Sequence, residues 1–101
     1  MIHLKPGVRI NILSPQAVLG MMIVASVFDE YDETLTITSI CEGKHSPRSK
    51  HYLGCAFDTR LPAKGNIPFL ELCQNRLGDD WDCLFEGDHF HFEWDPEGQP
   101  I

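Results

Sequence analysis

Apolar and polar positions along the chain change period several times, and each change marks an element. Ser14-Pro15 opens a helix: a serine side chain caps free backbone N–H groups, and proline fits the first helical position, where its missing N–H costs nothing. Val18, Met21, Met22, Ala25 and Phe28 then recur at helical spacing and predict one buried face. Asp29, Glu30, Asp32 and Glu33 follow. Carboxylates at a helix C-terminus oppose its macrodipole, so a frayed end in a solvated acidic patch is expected. Residues 35–40, Leu-Thr-Ile-Thr-Ser-Ile, alternate and are rich in β-branched types, the pattern of a strand with one buried face. Residues 41–50, with Gly43 and Pro47, read as a loop, and residues 52–61 as a strand with an irregular start. Pro62-Ala63-Lys64-Gly65 is a turn before a second helix over residues 67–77, with Leu70, Cys73 and Leu77 on its apolar face and Gly78 as its stop. Residues 80–86 and 89–94 are two further strands parted by Gly87-Asp88. Residues 8–12 also alternate, as a short strand or an extended lead-in. The order predicts an α+β fold, a small mainly antiparallel sheet with two helices, in a single domain spanning residues 1–101.

Composition narrows the function. The net charge is −7 with only eight Lys and Arg, in no run, which excludes the clustered cations that nucleic-acid phosphates require. The most apolar stretch, residues 17–28, is too short for a membrane span. Residues 1–7 lack the apolar core of a signal peptide, so synthesis in the cytoplasm is expected. Cys41, Cys55, Cys73 and Cys83 form no Cys-x-x-Cys pair and are expected to be reduced and structural. A monomer is expected.

Two stretches carry the candidate chemistry. Residues 49–58 read Ser-Lys-His-Tyr-Leu-Gly-Cys-Ala-Phe-Asp, and residues 88–93 read Asp-His-Phe-His-Phe-Glu. His51, Asp58, His89 and His91 are nitrogen and oxygen donors of the kind that hold catalytic zinc, with Asp88 as a further carboxylate. On a straight strand His51 and Asp58 would lie about 23 Å apart on opposite faces. Two ligands of one zinc lie no more than about 4 Å apart. Shared ligation therefore requires a chain reversal, which Gly54 permits. His89 and His91, two apart, face one way on a strand. Asp88 begins that strand, within reach of accepting a proton from a water.

The pattern Ser49-x-His51-x-x-Gly54-x-Ala56-x-Asp58, followed by Asp88-x-x-His91, resembles the zinc D-alanyl-D-alanine carboxypeptidase and L-alanyl-D-glutamate endopeptidase family, which shares its fold with the Hedgehog signalling domain. The likeness is closest to small phage and prophage members. It implies one zinc ion on His51, Asp58 and His91, Asp88 as general base, and His89 as an oxyanion-stabilising neighbour. It also implies a peptidoglycan stem peptide as substrate, reached at the cell wall through phage-mediated release or virion delivery. Ser49 and Arg48 are candidate substrate contacts, and Glu93 is at most an outer partner of a ligand. One departure stands out: many members carry a carboxylate-binding Arg after the first central strand, where this chain has Ser39-Ile40-Cys41-Glu42. Lys44 and Arg48 are the nearby cations that would replace it. The departure bears on substrate choice more than on the metal, and it motivates an alternative, a catalytically silent metal-binding domain of the same fold. A third reading is a thiol enzyme acting through Cys55.

Overall fold

The structure is a computed structural model and describes residues 1–10, 13–41 and 55–96. Along the chain run β1 (Ile2–Leu4), α1 (Pro15–Glu30), β2 (Leu35–Cys41), β3 (Ala56–Arg60), α2 (Asn66–Leu77), β4 (Trp81–Phe85) and β5 (His89–Trp94). The expected α+β class holds: five strands form one sheet in the order β1-β2-β3-β5-β4, antiparallel except for the parallel β1–β2 edge. The predicted loop over residues 41–50 falls almost wholly outside the described residues, as does the reversal at Gly54.

Both helices cover one sheet face, α1 over β2, β3 and β5, and α2 over β4 and α1. Strand alternation supplies that face with Leu35, Ile37, Phe57, Phe90, Phe92 and Trp81. Phe57 and Phe92 stack with centroids 5.3 Å apart, and Phe90 meets Phe92 edge-on at 6.0 Å. The opposite face receives Asp58 and Arg60 from β3, and His89, His91 and Glu93 from β5. One pleat therefore separates the core from the chemistry.

Ser14 caps α1 as expected, its Oγ accepting from the Ala17 N–H at 3.2 Å, with Pro15 first in the helix. The buried stripe differs from the prediction. Met21, Ala25 and Phe28 are buried, but Val18 and Met22 are exposed, and Ala17, Gly20, Val24 and Val27 take their places. Apolar residues ring this helix, so hydrophobicity alone does not select the face. Close approach does, because a Cβ on Gly20 would overlap the buried Trp81 indole. On α2 the prediction omitted Phe69, which is buried edge-on against Phe28 at 4.6 Å.

The acidic end of α1 is solvated as expected, but the expected fraying is corrected. Asp32 adopts a positive φ of 58°, Glu33 N–H donates to Phe28 O at 2.9 Å, and Asp32 N–H to Asp29 O at 3.1 Å. This is the Schellman arrangement, with aspartate in the position glycine usually takes. Glu30 pairs with Arg76 of α2, and Glu33 accepts the Ala63 N–H at 3.1 Å. The acidic run thus ties the helix end to its neighbours. A second correction concerns the first strand. Residues 8–10 are not a strand; β1 lies earlier, and since all three of its residues are exposed, no alternation betrays it.

Thr59 Oγ1 is buried on the core side without a hydrogen-bond partner among the described residues. An unsatisfied hydroxyl costs its desolvation energy, so Thr59→Val, nearly isosteric, should raise stability by about 1 kcal/mol. A thermal melt would show a rise of about 4–8 °C. A lower melting temperature would mean that the hydroxyl is satisfied in solution.

Candidate metal centre

The polar face is organised around Asp58. The β3–β5 register sets Asp58 opposite His91, Arg60 opposite His89 and Ala56 opposite Glu93. Between Ile37 and Ser39 the β2–β3 register shifts, a bulge that sets Ser39 opposite Asp58. Ser39 Oγ donates to Asp58 Oδ2 at 2.8 Å, while Asp58 Oδ1 lies 2.6 Å from His91 Nδ1. The other His91 nitrogen, Nε2, lies 3.0 Å from Glu93 Oε1. His91 and Glu93 are both buried.

His89 mirrors this arrangement one strand step away. Its Nδ1 lies 2.6 Å from Asp88 Oδ1, and its Nε2 points toward Asp58 Oδ2 at 3.9 Å and Glu86 Oε1 at 3.4 Å. The hairpin produces that approach: Gly87, at φ +87°, and Asp88 form a two-residue turn, so Glu86 and His89 flank it as a directly opposed pair. Each imidazole therefore has one nitrogen on a carboxylate of its own strand or turn and the other facing Asp58.

These contacts set the charges. Burial pushes the Asp58 carboxyl up, but hydrogen bonds from His91 and Ser39, with the nearby imidazoles, outweigh it and leave the group below its ordinary value. The Asp88 hydrogen bond, together with the Asp58, Asp88 and Glu86 charges, raises His89 against the opposing effect of desolvation. Asp88 is lowered in turn, chiefly by its hydrogen bond with His89. The contacts thus lower the two aspartates and raise the imidazole between them.

The predicted residues fare unevenly. Asp58, Asp88, His89 and His91 come together on one face. Asp88 is almost fully exposed at the rim. His51, the third expected ligand, and Ser49 and Arg48, the expected substrate contacts, lie outside the described residues. Three contributors were missed. Glu86 is one; Lys5 and Arg60 are the others, lining with Thr38, Ser39, Asp58, Asp88 and His89 an open cavity of about 390 Å³. Arg60 had a signal, since it stands two residues after Asp58 and shares its strand face. Glu86 had one too, as the residue before a two-residue turn that ends at His89.

Histidine and carboxylate donors are thus positioned to hold a metal ion: Asp58, Glu86 and His89 offer ligand atoms within 4.8 Å of one another. The Asp58–His91 pair has suitable donor atoms as well, and Glu93 on Nε2 is the outer partner that fixes a ligating imidazole. At 2.6 Å that pair is a hydrogen bond; two ligands of a tetrahedral ion stand about 3.3 Å apart, so loading would part them by about 0.7 Å.

Cys55 is fully buried, and its thiol is raised by desolvation, more than the Ser14 hydrogen bond offsets. A nucleophilic cysteine needs an accessible, stabilised thiolate, which this environment opposes. Cys73 and Cys83, which form no disulfide, are pushed up to about 12 by burial.

Fold and site together define a small α+β domain with a carboxylate–histidine centre on the sheet face opposite its helices. No family model, curated protein or solved structure matches the chain. Among the described residues no helix is long and apolar enough to cross a membrane.

Proposed function

We propose that the chain is a zinc-dependent peptidase acting on peptidoglycan stem peptides, of the D-alanyl-D-alanine carboxypeptidase or L-alanyl-D-glutamate endopeptidase type and of Hedgehog-like fold. The supporting observation is the Asp58–His91 pair: two donors 33 residues apart in sequence meet directly across β3 and β5, with Asp88 and His89 beside them at an open cavity. In this reading Asp58, His91 and His51 hold the ion, which supplies a lowered water pKa and a polarised carbonyl. Glu93 fixes the His91 ring. Asp88, ionised and at the rim, accepts the proton released by the attacking water. His89, raised by its Asp88 hydrogen bond and the carboxylates around it, is the neighbouring group that would stabilise the carbonyl oxygen as it gains negative charge. Lys5 and Arg60 are the described cations at the cavity, and Lys44 and Arg48 lie outside the described residues.

Digestion of purified peptidoglycan by the zinc-saturated chain, with analysis of new peptide termini, tests the proposal. Cleavage should appear and fall by about 10²–10⁴-fold in Asp88→Ala, the usual span of a general base, with zinc still bound. Intact stem peptides at full zinc occupancy would instead assign the chain to a silent metal-binding domain. Cleavage that survives chelation and stops on alkylation would restore Cys55.

A further inference from the structure

We propose a second divalent-cation site on this face, formed by Asp58 Oδ2, Glu86 Oε1 and His89 Nε2, so that Asp58 serves two ions through its two oxygens. It goes beyond the peptidase reading, which assigns Glu86 no role and His89 no metal.

Three independent features carry the proposal. The first is spacing. His89 Nε2 stands 3.4 Å from Glu86 Oε1 and 3.9 Å from Asp58 Oδ2. Two donors about 2.1 Å from a shared ion are separated by roughly 3–4.2 Å, depending on the angle between them. His89 Nε2 therefore already stands from both carboxylates as one ligand stands from another, and the donor atoms of the three residues all lie within 4.8 Å of one another, whereas the Asp58–His91 pair at 2.6 Å is closer than two ligands stand.

The second is the outer support. A ligating histidine almost always gives its other ring N–H to a carboxylate, a backbone carbonyl or water, which fixes the tautomer and aims the lone pair. Asp88 Oδ1, 2.6 Å from His89 Nδ1, fills that place and leaves Nε2 turned to the cluster. Ser39 Oγ, delivered by the β2 bulge, anchors the Asp58 oxygen assigned to this ion.

The third is rigidity and access. Glu86 and His89 flank a two-residue turn and are joined by the Glu86 N–H to His89 O bond of 2.9 Å. Asp58 is fixed on the adjacent strand by its register with His91. Both turn-flanking side chains are about 30% exposed, and the cavity bordered by Lys5 and Arg60 leads to Asp58 and His89. Mixed imidazole and carboxylate donors suit Zn²⁺ or Mn²⁺ rather than Ca²⁺. An ion here would place positive charge beside the cavity that Lys5 and Arg60 border.

The test is a calorimetric titration of the metal-free full chain with Zn²⁺ and with Mn²⁺, checked by elemental analysis. Glu86→Gln and His91→Gln are run alongside, with circular dichroism to show that both fold. Two ions should bind the parent chain, and Glu86→Gln should lose one or weaken it by at least about 10-fold. His89→Ala should reproduce that loss, while His91→Gln should retain this ion. Unchanged stoichiometry and affinity in both Glu86→Gln and His89→Ala would overturn the proposal. The peptidase reading answers to the other variant: if His91→Gln leaves every ion in place, that ligand assignment fails whatever Glu86 does. A single ion lost in Glu86→Gln but kept in His91→Gln would support this site and overturn the other.

Discussion

Asp58→Asn should strip the chain of tightly bound zinc and reduce stem-peptide cleavage to the uncatalysed background, while leaving the fold intact. Changing an outer partner of a metal ligand costs about 10–100-fold in affinity, so removing a ligand's charge should exceed about 100-fold. The fold should survive because the amide oxygen can still accept from His91 Nδ1, and its NH₂ group can donate to an oxygen in place of the lost carboxylate. Metal content by elemental analysis, beside a far-ultraviolet spectrum, separates the two effects. Stoichiometric zinc in a folded Asp58→Asn chain would remove Asp58 from the centre and with it both ion assignments.

The same substitution has a signature in pH. The Asp58 carboxyl lies below its ordinary value in the folded chain, because hydrogen bonds from His91 and Ser39 outweigh the upward push of burial. A depressed folded value gives stability that is fully present above the unfolded value, about 3.9, and is lost as pH falls through the folded one. Metal-free parent protein should therefore lose stability below about pH 4, and Asp58→Asn should lack that part of the loss. Melting temperatures of both chains between pH 3 and 6 report it; parallel curves would count against the lowered Asp58 carboxyl.

How much of this was legible in the sequence depends on the range of the information. Local signals read well: the Ser14-Pro15 start, the Gly78 stop, the Gly87-Asp88 break and the alternation of β5 all lie where the pattern puts them. Each is a contest among neighbouring residues, which sequence contains. Register between strands is not local. The sequence showed that His89 and His91 share a face, but not that Asp58 would face His91 and Arg60 would face His89, because the sheet order brings β5 between β3 and β4. The Ser39 contact depends on a bulge, and one extra residue reassigns every side chain beyond it. Helix faces failed for a different reason. With apolar residues all round α1, the buried stripe is chosen by the fit of Gly20 against Trp81, a shape property that hydrophobicity does not encode. The resemblance to the zinc peptidases reached four residues that the fold does bring together and three that lie outside the described residues. It spans Glu86 but gives it no role, and it does not reach Lys5 or Arg60, whose places at the cavity depend on this chain's own strand register.

Phe92→Ala should be the most damaging single truncation in the core, and it should reach the site as well. Phe92 is fully buried, stacks on Phe57 and meets Phe90 edge-on. Removing a buried phenylalanine ring costs about 3–5 kcal/mol, through lost transfer energy and the cavity left behind. Domains of this size hold about 5–15 kcal/mol in total, so the loss would lower the melting temperature by roughly 12–40 °C. Phe85 is the control: its ring also meets Phe90, but the residue is about 41% exposed on the β4 edge, and its truncation should cost much less. The consequence for function follows from the pleat. Phe92 stands between His91 and Glu93, so the ring that anchors β5 to the helices also fixes the strand whose other face carries the imidazole and its carboxylate partner. Metal affinity should therefore fall in Phe92→Ala even below its melting temperature, and stay unchanged in Phe85→Ala. Equal affinity in the two variants would show that the centre is held by its own hydrogen bonds and not by the core beneath it.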